Sequence, residues 1–254
     1  MSDRRIIVVL PAYNEEETIH KLLARINFQF EEFDLPLYVM VVNDGSTDNT
    51  LEAVAKSQQE LKVPIEIVDL VTNRGLAGAI KEGLFAAVNK SKHPEDIIVV
   101  MDADNTHTPG LIMHMTRKVY EGYDVVIASR YQKGARVVGL TRFRRFLSFG
   151  ASMIFQTFAN VEGVKDYTCG YRAYRSEILK KAFDEYRENF IKQSGFACMI
   201  EILLRLEAFN PVVGEVPLIL RYDFKEGTSK MRVARTIKQT LALLFNYRFN
   251  KSNW

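Results

Sequence analysis

The sequence predicts an α/β fold in which a mostly parallel central sheet is flanked by helices. Aliphatic runs typical of strands alternate with helical segments over residues 1–130, which is the order expected of repeated β–α–β units. The run Ile97–Val100 contains only Ile and Val, as a strand covered on both faces does. Every predicted strand up to Asp104 ends in a polar turn. These turns are the predicted functional edge, because ligands bind at the carboxyl ends of parallel strands.

The predicted elements follow in a regular order as far as Arg130. They are the strand RIIVVLPAYN, a helix from Glu15 to about Phe33, the strand LYVMVVNDGS, a helix from about Thr47, the strand IEIVDL, a helix from about Gly75 to Lys90, the strand IIVVMDAD, a helix near Pro109 to Gly122, and the strand DVVIASR. The pattern loosens after Arg130, where we expect an irregular half. Residues 1–130 and 131–254 are therefore treated as two halves of one continuous domain.

Composition narrows the class of protein. A chain of 254 residues that is 47% hydrophobic and 26% charged fits one large core. The net charge of +3 is too small to indicate a nucleic-acid partner, and the basic residues concentrate in the tail, with eight Lys or Arg against two Asp or Glu from Arg221 onward.

Cys169 and Cys198 lack metal-ligand spacing, so we expect reduced thiols and a reducing compartment. No signal peptide or apolar run of roughly 20 residues is evident, and we expect no membrane-spanning helix.

The first polar turn is PAYNEEE. Pro11 suits the end of a strand because it cannot donate a ladder hydrogen bond. Asn14 can cap the next helix, with the following glutamates placed favourably against the helix dipole. Capping and ligand binding both remain open for Asn14.

The second turn, NDGSTDNT, contains the tight-turn pair Asp44–Gly45 and then a helix cap at Ser46, Thr47 or Asp48. Capping does not account for Asp44, whose carboxylate can accept N–H groups from a nucleobase. The third turn, NRGLAGAIKEG, matches neither GxGxxG nor GxxxxGK[ST], which argues against dinucleotide-binding and P-loop proteins. Its glycines more readily serve close backbone approach.

The fourth turn carries Asp102 and Asp104. Burying an unpaired carboxylate costs several kcal/mol, so both should lie beyond the end of the strand. Side chains at i and i+2 of an extended chain point the same way, and both carboxylates can then address one divalent cation. Mg²⁺ takes one or two carboxylates and completes its shell with substrate phosphates and water. The alternative is a pair of solvated turn acids.

Taken together, PAYNE, NDGSTDNT and MDAD resemble the family-2 inverting glycosyltransferases of the GT-A fold, which is Rossmann-like. Downstream, four further stretches are similar to the dolichyl-phosphate mannosyltransferase branch and its bacterial polyprenyl-phosphate relatives. They are ASRY, RRFLSFGAS, DYTCGYRAYR and GEVPLILRYDFKEGTSKM. The resemblance covers nearly the whole chain.

The resemblance implies inverting transfer of a single mannose or glucose from GDP-mannose or UDP-glucose to a polyprenyl or dolichyl phosphate, with Mg²⁺ or Mn²⁺. The residues that would line the nucleoside pocket are Pro11, Tyr13, Glu15 and Asp44. Asp102 and Asp104 would hold the metal against the donor diphosphate. The residues that would bind the acceptor phosphate are Arg130, Arg144 and Ser148, with further phosphate contacts possible from Arg221, Lys225 and Lys230.

A phosphate acceptor is already anionic and needs no catalytic base. The main alternative is a GT-A enzyme with a soluble or protein-bound hydroxyl acceptor, which would need a base, and Asp166 is the candidate. A non-catalytic scaffold subunit is a third possibility. For Arg130 and Arg144 the structural alternative is a surface salt bridge.

The sequence departs from the family pattern at three positions, Asn43, Thr106 and Phe224. Asn43 stands where many members carry an aspartate, and Phe224 replaces a common arginine. Thr106, at the position of a third metal contact, is a weak ligand, and His107 is expected to be a turn residue. The QxxRW signature of processive synthases is absent, which favours transfer of one sugar.

The tail predicts a basic amphipathic helix. Its apolar residues Ile237, Leu241, Leu244 and Phe245 fall on one helical face, with Arg235, Lys238 and Arg248 available to anionic headgroups. A second amphipathic candidate is FRRFLSFGASMIFQTF. Packing of either stretch on the core is the alternative. Together with this tail, the resemblance implies a cytoplasmic protein, peripheral at the cytosolic face, that contacts a membrane surface or a separate membrane subunit.

Overall fold

A computed structural model describes residues 4–33, 36–139, 155–221, 223 and 233–249. The strands are β1 (Ile6–Ala12), β2 (Leu37–Asn43), β3 (Ile65–Asp69), β4 (Ile97–Val100), β5 (Val125–Ser129), β6 (Arg136–Val138), β7 (Arg172–Arg175), β8 (Val213–Pro217) and β9 (Ile219–Arg221). The helices are α1 (Ile19–Phe33), α2 (Thr50–Glu60), α3 (Gly75–Lys90), α4 (Leu111–Tyr120), α5 (Ser176–Tyr186), α6 (Ala197–Leu206) and α7 (Val233–Phe249).

The central sheet has seven strands in the order β3-β2-β1-β4-β7-β5-β8. Every neighbouring pair is parallel except the two pairs made by β7, which runs antiparallel to β4 and β5. A second small sheet pairs β6 with β9 in parallel. The predicted α/β class with a mostly parallel sheet is confirmed.

The core forms where helices cover both faces of the aliphatic strands. All four residues of β4 and all five of β5 are buried, as their uninterrupted aliphatic sequences predict. α3 lies close against β1 and β2, and Gly83 permits this approach. A Cβ atom on Gly83 would lie 2.5 Å from Cγ1 of Val9 and 2.7 Å from Cγ2 of Val42. A side chain at position 83 would therefore push α3 off the sheet.

The half beyond Arg130 contains more regular structure than its sequence pattern reveals. β7 inserts between β4 and β5, and β8 extends the same sheet beside β5. All ten residues of α6 are buried, including the ion pair Glu201–Arg205. Both halves thus complete one sheet around one core. Cys169 and Cys198 are free and buried, and burial raises the pKa of each thiol to about 12.

The apolar residues of the C-terminal helix α7 fall into a buried group and an exposed group. Leu243 and Leu244 are buried, whereas Leu241, Phe245 and Phe249 are 48%, 62% and 66% exposed. Leu244, which helical periodicity groups with Leu241 and Phe245, packs into the core, so the alternative of packing on the core holds for this residue. Ile237 and the two basic side chains before it and after it, Arg235 and Lys238, lie outside the described side chains.

Within the described ranges, no helix has both the length and the hydropathy needed to cross a bilayer.

Candidate active site

The polar turns meet where the chain changes direction across the sheet. β2 and β3 lie on one side of β1, and β4 lies on the other. Open α/β sheets bind ligands at such a switch point, in the crevice beyond the carboxyl ends of the two strands. Here β1 ends beside Tyr13 and Glu15, and β4 ends just before Asp102.

The first two turns are bonded to each other across more than 30 residues of sequence. Asn14 has a left-handed backbone with φ of 53°, and its N–H donates to Oγ of Ser46 at 3.0 Å. Oδ1 of Asn14 accepts the N–H of Thr47 at 2.8 Å, and the N–H of Glu15 donates to Oγ1 of Thr50 at 2.9 Å. Of the two roles left open for Asn14, the structure does not show capping of α1, because its side-chain oxygen accepts the N–H of Thr47 in the second turn. α1 begins at Ile19 and α2 at Thr50, later than predicted.

Glu15 links the first turn to the fourth. Its Oε2 accepts the hydroxyl of Thr18 at 2.9 Å, and the same hydroxyl lies 3.4 Å from the carbonyl of Ala103. Pro11, Tyr13 and Glu15 are all half-buried. The predicted donor-pocket side chains of the first turn therefore lie at the edge that also carries Ala103.

Asp44 lies at the end of β2 with only 3% of its surface exposed. Its Oδ1 accepts the backbone N–H of Arg74 at 2.6 Å, which joins the second turn to the third. Burial raises the pKa of this carboxyl, while the N–H groups of Arg74 and Gly75 act in the opposite direction. Gly45 has φ of +64°, and a Cβ there would lie 2.8 Å from the N atom of Asn73, so the tight turn requires glycine.

Asn43 joins this turn to the neighbouring strand β3. Its Nδ2 donates to Oδ1 of Asp69 on β3 at 2.7 Å, and its Oδ1 accepts the N–H of Ser46 at 3.2 Å. Both interactions need an amide, which has a donor and an acceptor. Asn43 is thus a structural partner of β3, and Asp44 is the carboxylate at the strand tip.

Asp102 and Asp104 lie beyond the end of β4, as predicted. The side chain of Asp102 is 31% exposed, and that of Asp104 is half-buried. Oδ1 of Asp104 accepts the hydroxyl of Thr106 at 2.6 Å. Asn105, between Asp104 and Thr106, has φ of 60°, and Nη1 of Arg25 on α1 donates to its Oδ1 at 2.5 Å. The loop is therefore held by a hydrogen bond within it and by one from α1.

This pair fits a divalent cation. Both groups are carboxylates, they are partly open to solvent, and they lie at the ligand-binding edge. No cluster of three or more His, Cys, Asp or Glu able to hold a metal occurs in the part of the chain that the structure describes. Two protein carboxylates suit Mg²⁺ or Mn²⁺ whose remaining positions are filled by phosphate and water. The hydroxyl of Thr106, at the position of a third metal contact, donates to Asp104.

His107 was expected to be a turn residue, and the structure corrects this. It is only 4% exposed, forms an isolated β-bridge with Leu220, and stacks on Tyr171. The backbone N–H of Arg221, at the end of β9, donates to the carbonyl of Thr106 at 3.0 Å. β9 therefore closes over the Asp102–Asp104 loop and brings Arg221 beside it.

Arg130 and Asp166 form a bidentate ion pair. Nη2 of Arg130 lies 2.6 Å from Oδ1 of Asp166, and Nε lies 2.8 Å from Oδ2. Asp166 is completely buried, and Arg130 keeps 21% of its side chain exposed. Burial alone would raise the pKa of Asp166, but the Arg130 guanidinium and the hydrogen bonds to the carboxylate lower it below its usual value.

Asp166 is accordingly poorly placed to act as a base. Besides Arg130, it accepts the N–H groups of Thr168 at 3.3 Å and Cys169 at 3.1 Å. A general base must reach the proton it abstracts, and its proton affinity should suit the operating pH. A buried carboxylate with a lowered pKa meets neither condition.

Four of the predicted acceptor and phosphate contacts lie outside the described residues. They are Arg144, Ser148, Lys225 and Lys230. Phe224, one of the departures from the family pattern, also lies outside the described residues. The guanidinium of Arg221 pairs with Asp223 at 2.7 Å near the surface.

Sequence reasoning missed the loop that precedes β7. A Cβ on Gly170 would lie 3.5 Å from Oδ1 of Asp102, so this loop passes directly beside the carboxylate. Arg172, which is fully buried, holds the loop by donating to the carbonyls of Tyr167, Cys169 and Met199 at 2.6–2.9 Å. The motif DYTCGYR contains both Gly170 and Arg172, but its spacing did not indicate that this loop lies beside Asp102.

Comparison with known proteins agrees with this geometry. A family model described as Glycosyl transferase family 2 matches residues 7–183. A dolichol-phosphate mannosyltransferase from Pyrococcus furiosus is 30% identical over 244 residues, which cover 95% of this chain and 63% of the relative. An undecaprenyl-phosphate mannosyltransferase from Micrococcus luteus is 28% identical over 227 residues, 89% of this chain and 87% of the relative. A polyprenol monophosphomannose synthase from Mycolicibacterium smegmatis is 27% identical over 230 residues, 90% and 81% of the two chains.

This chain thus spans less than two thirds of the archaeal relative. Among solved structures, glucosyl-3-phosphoglycerate synthase from Mycobacterium tuberculosis in complex with Mn²⁺, UDP and glucosyl-3-phosphoglycerate has a TM-score of 0.65 at 19% identity, over 97% of this chain and 80% of that chain. The same enzyme with Mg²⁺ and UDP gives a TM-score of 0.66 at 18% identity, with the same coverage. These similarities establish the expected GT-A fold. Because the family model covers well over half of the sequence, from β1 into α5, this chain belongs to glycosyl transferase family 2.

Proposed function

We propose that the protein is a hexosyltransferase that moves one mannose from GDP-mannose to a polyprenyl phosphate, with inversion and with Mg²⁺ or Mn²⁺. UDP-glucose is the second donor to consider. Mannose is favoured because three relatives that align with about nine tenths of this chain are named as mannose-transferring enzymes acting on polyprenyl-type phosphates. The observation that carries the proposal is the Arg130–Asp166 ion pair, which leaves Arg130 partly exposed and Asp166 fully buried and unsuited to be a base.

The donor would bind at the switch point between β1 and β4. Pro11, Tyr13, Glu15 and Asp44 would contact the nucleoside, and Asp102 with Asp104 would hold the metal. When bound, the metal neutralises charge that develops on the leaving diphosphate. The two carboxylates would hold the positive charge of the metal at one edge of the sheet, where the donor diphosphate would lie.

Arg130 would bind the acceptor phosphate. Its Nε and Nη2 are used by Asp166 and Thr168, and within the described residues Nη1 makes no hydrogen bond. A guanidinium anchored on one edge presents its remaining donors in a fixed direction, which suits a phosphate. Arg144 and Ser148 are proposed to complete this site.

An anionic acceptor needs no deprotonation, because a phosphate oxygen is already charged near neutral pH. Its attack on the anomeric carbon, opposite the leaving diphosphate, inverts the configuration. Rate enhancement would then come from positioning and electrostatic stabilisation. The alternative with a hydroxyl acceptor and Asp166 as the base is disfavoured by the burial of Asp166 and its pairing with Arg130.

The lipid acceptor places the enzyme at a membrane, and we propose peripheral attachment at the cytosolic face through α7. Leu241, Phe245 and Phe249 recur every four residues and form an exposed apolar stripe, with Arg248 exposed beside it. An apolar stripe flanked by basic residues suits an anionic lipid surface. A separate membrane subunit covering the stripe is the other possibility.

The proposal is tested by incubating purified protein and Mn²⁺ with labelled GDP- and UDP-sugars, with and without a short polyprenyl phosphate in detergent. We expect label in the lipid phase only when the polyprenyl phosphate is present, with GDP-mannose as the best donor. Donor hydrolysis or binding without labelled lipid would contradict the acceptor assignment.

A further inference from the structure

We propose that His107 is a positioning residue that fixes the metal-binding carboxylate Asp102. This inference rests on the proposed function, because it concerns how Asp102 is presented to a divalent cation. The evidence is the set of contacts that His107 makes with Asp102, Tyr171 and β9.

The first contact is with the backbone of Asp102. The β1–β4 ladder ends one residue earlier, where the N–H of Met101 donates to the carbonyl of Val9 at 3.2 Å. The N–H of Asp102 has left the ladder and donates instead to Nδ1 of His107 at 3.2 Å. The imidazole therefore replaces the missing strand partner at the residue that carries the carboxylate.

The second contact is with the side chain of Asp102. Because Nδ1 accepts a hydrogen bond, a neutral imidazole carries its proton on Nε2. Nε2 lies 3.9 Å from Oδ2 of Asp102, so the ring edge faces the carboxylate beyond hydrogen-bond range. His107 thus contacts both the backbone N–H and the side chain of Asp102.

The ring itself is held in place. It is 4% exposed and stacks on Tyr171 with centroids 4.9 Å apart and planes 24° apart. The hydroxyl of Tyr171 donates to the carbonyl of Thr108 at 3.1 Å, and the backbone of His107 bridges to Leu220. The imidazole therefore has little room to rotate away from Asp102.

Rigidity at Asp102 matters because the described site offers only two carboxylates to a metal. Residues that orient metal ligands typically contribute about 10- to 100-fold to metal affinity. Removal of the Nδ1 acceptor should therefore weaken metal binding by a factor of this size and leave the melting temperature unchanged.

Two substitutions distinguish the contribution of the Nδ1 acceptor from that of the aromatic ring. His107→Phe keeps an aromatic ring on Tyr171 and removes the acceptor, whereas His107→Asn keeps an acceptor oxygen near the Nδ1 position and removes the ring. The matched control is His114→Phe on the exposed side of α4. Mn²⁺ affinity is measured by electron paramagnetic resonance of free Mn²⁺ with GDP or UDP, beside nucleotide affinity without metal and the melting temperature.

We expect His107→Phe to weaken Mn²⁺ binding about tenfold or more, and His107→Asn to stay within about threefold of wild type. Metal-free nucleotide affinity should not change in either variant. Wild-type Mn²⁺ affinity in His107→Phe would overturn the inference, and so would equal loss in both variants at unchanged melting temperature. If His107→Phe does not fold, a tenfold loss in folded His107→Asn overturns it and near-wild-type affinity supports it. A wild-type protein that binds no Mn²⁺ with either nucleotide would overturn the proposed function as well.

Discussion

The guanidinium of Arg130 and the carboxylate of Asp166 meet at two points, Nη2–Oδ1 at 2.6 Å and Nε–Oδ2 at 2.8 Å. Asp166 is completely buried, whereas Arg130 is partly exposed. The carboxylate therefore acts as an anchor, and the arginine is the member of the pair that a substrate can reach.

Replacing Arg130 with lysine should raise the KM for polyprenyl phosphate and leave the KM for the sugar nucleotide nearly unchanged. Lysine keeps the charge but loses the planar fork, and loss of one charge-assisted hydrogen bond of about 1.5–3 kcal/mol corresponds to roughly tenfold or more. Steady-state kinetics with each substrate varied would measure this, with the exposed Arg117→Lys on α4 as control. Equal changes in both KM values would contradict the assignment.

The Asp166 carboxylate should contribute stability in a pH-dependent way. Its pKa is lowered in the folded protein, so its contribution is complete above the ordinary value near pH 4 and is lost as the pH falls further. The stability advantage of wild type over Asp166→Asn should be constant from pH 5 to 7 and shrink below about pH 4. Denaturant unfolding across this range would measure it. An advantage that grows towards low pH would show that the pKa shift has the opposite sign.

Replacing Asp102 or Asp104 with asparagine should reduce turnover by about 100-fold or more, because each substitution removes an anionic oxygen ligand from the metal. The substitutions are nearly isosteric, so the melting temperature should change little. The control is Asp184→Asn on the exposed side of α5. Turnover is measured across a Mn²⁺ titration, and activity that persists at full strength without added metal in both variants would contradict the metal site.

Asp44→Asn should weaken nucleoside diphosphate binding about tenfold, both with and without Mn²⁺. The proposed role of this carboxylate is to accept N–H groups of the base, which is independent of the metal. Isothermal titration with GDP and UDP would distinguish it from Asp102→Asn, whose effect should require Mn²⁺. Unchanged affinity for both nucleotides would remove Asp44 from the donor pocket.

The double variant Leu241→Glu/Phe245→Glu should lose binding to vesicles of anionic phospholipid. Both side chains are exposed, so two carboxylates there should leave the fold intact while repelling the surface. Ala242→Glu/Asn246→Glu places the same charge on exposed positions of the same helix outside the stripe. Vesicle sedimentation that is equal for the two double variants would argue against the stripe.

Much of the fold was predictable because the central strands are continuous aliphatic runs and each ends in a recognisable turn. Ile97–Val100 and the acids after it are an example, since burial excludes the carboxylates from the strand. The insertion of β7 was not predictable, because RAYR contains two arginines and its burial depends on carbonyls that Arg172 reaches in the preceding loop and in α6.

The site shows the same division between local and tertiary information. Local propensity allowed Asn14 to cap the next helix or to bind a ligand, and it could not show that the amide oxygen accepts the N–H of Thr47 from another turn. Likewise the helical periodicity of the tail groups Leu244 with Leu241, and only packing on the core separates them. His107 gave no local signal, since Leu220 and Tyr171 become its neighbours only when β9 and the loop before β7 pack beside Asp102.

The central claim is that the acceptor is an anionic phosphate and that no base is required. The most direct test compares transfer of labelled mannose from GDP-mannose to polyprenyl phosphate and to polyprenol of the same length, with Mn²⁺ and in the same detergent. We predict labelled mannosyl-phosphoryl-polyprenol from the phosphate and no product from the alcohol. Equal transfer to the alcohol would contradict the account, because it would require a base that the buried, arginine-bound Asp166 does not provide.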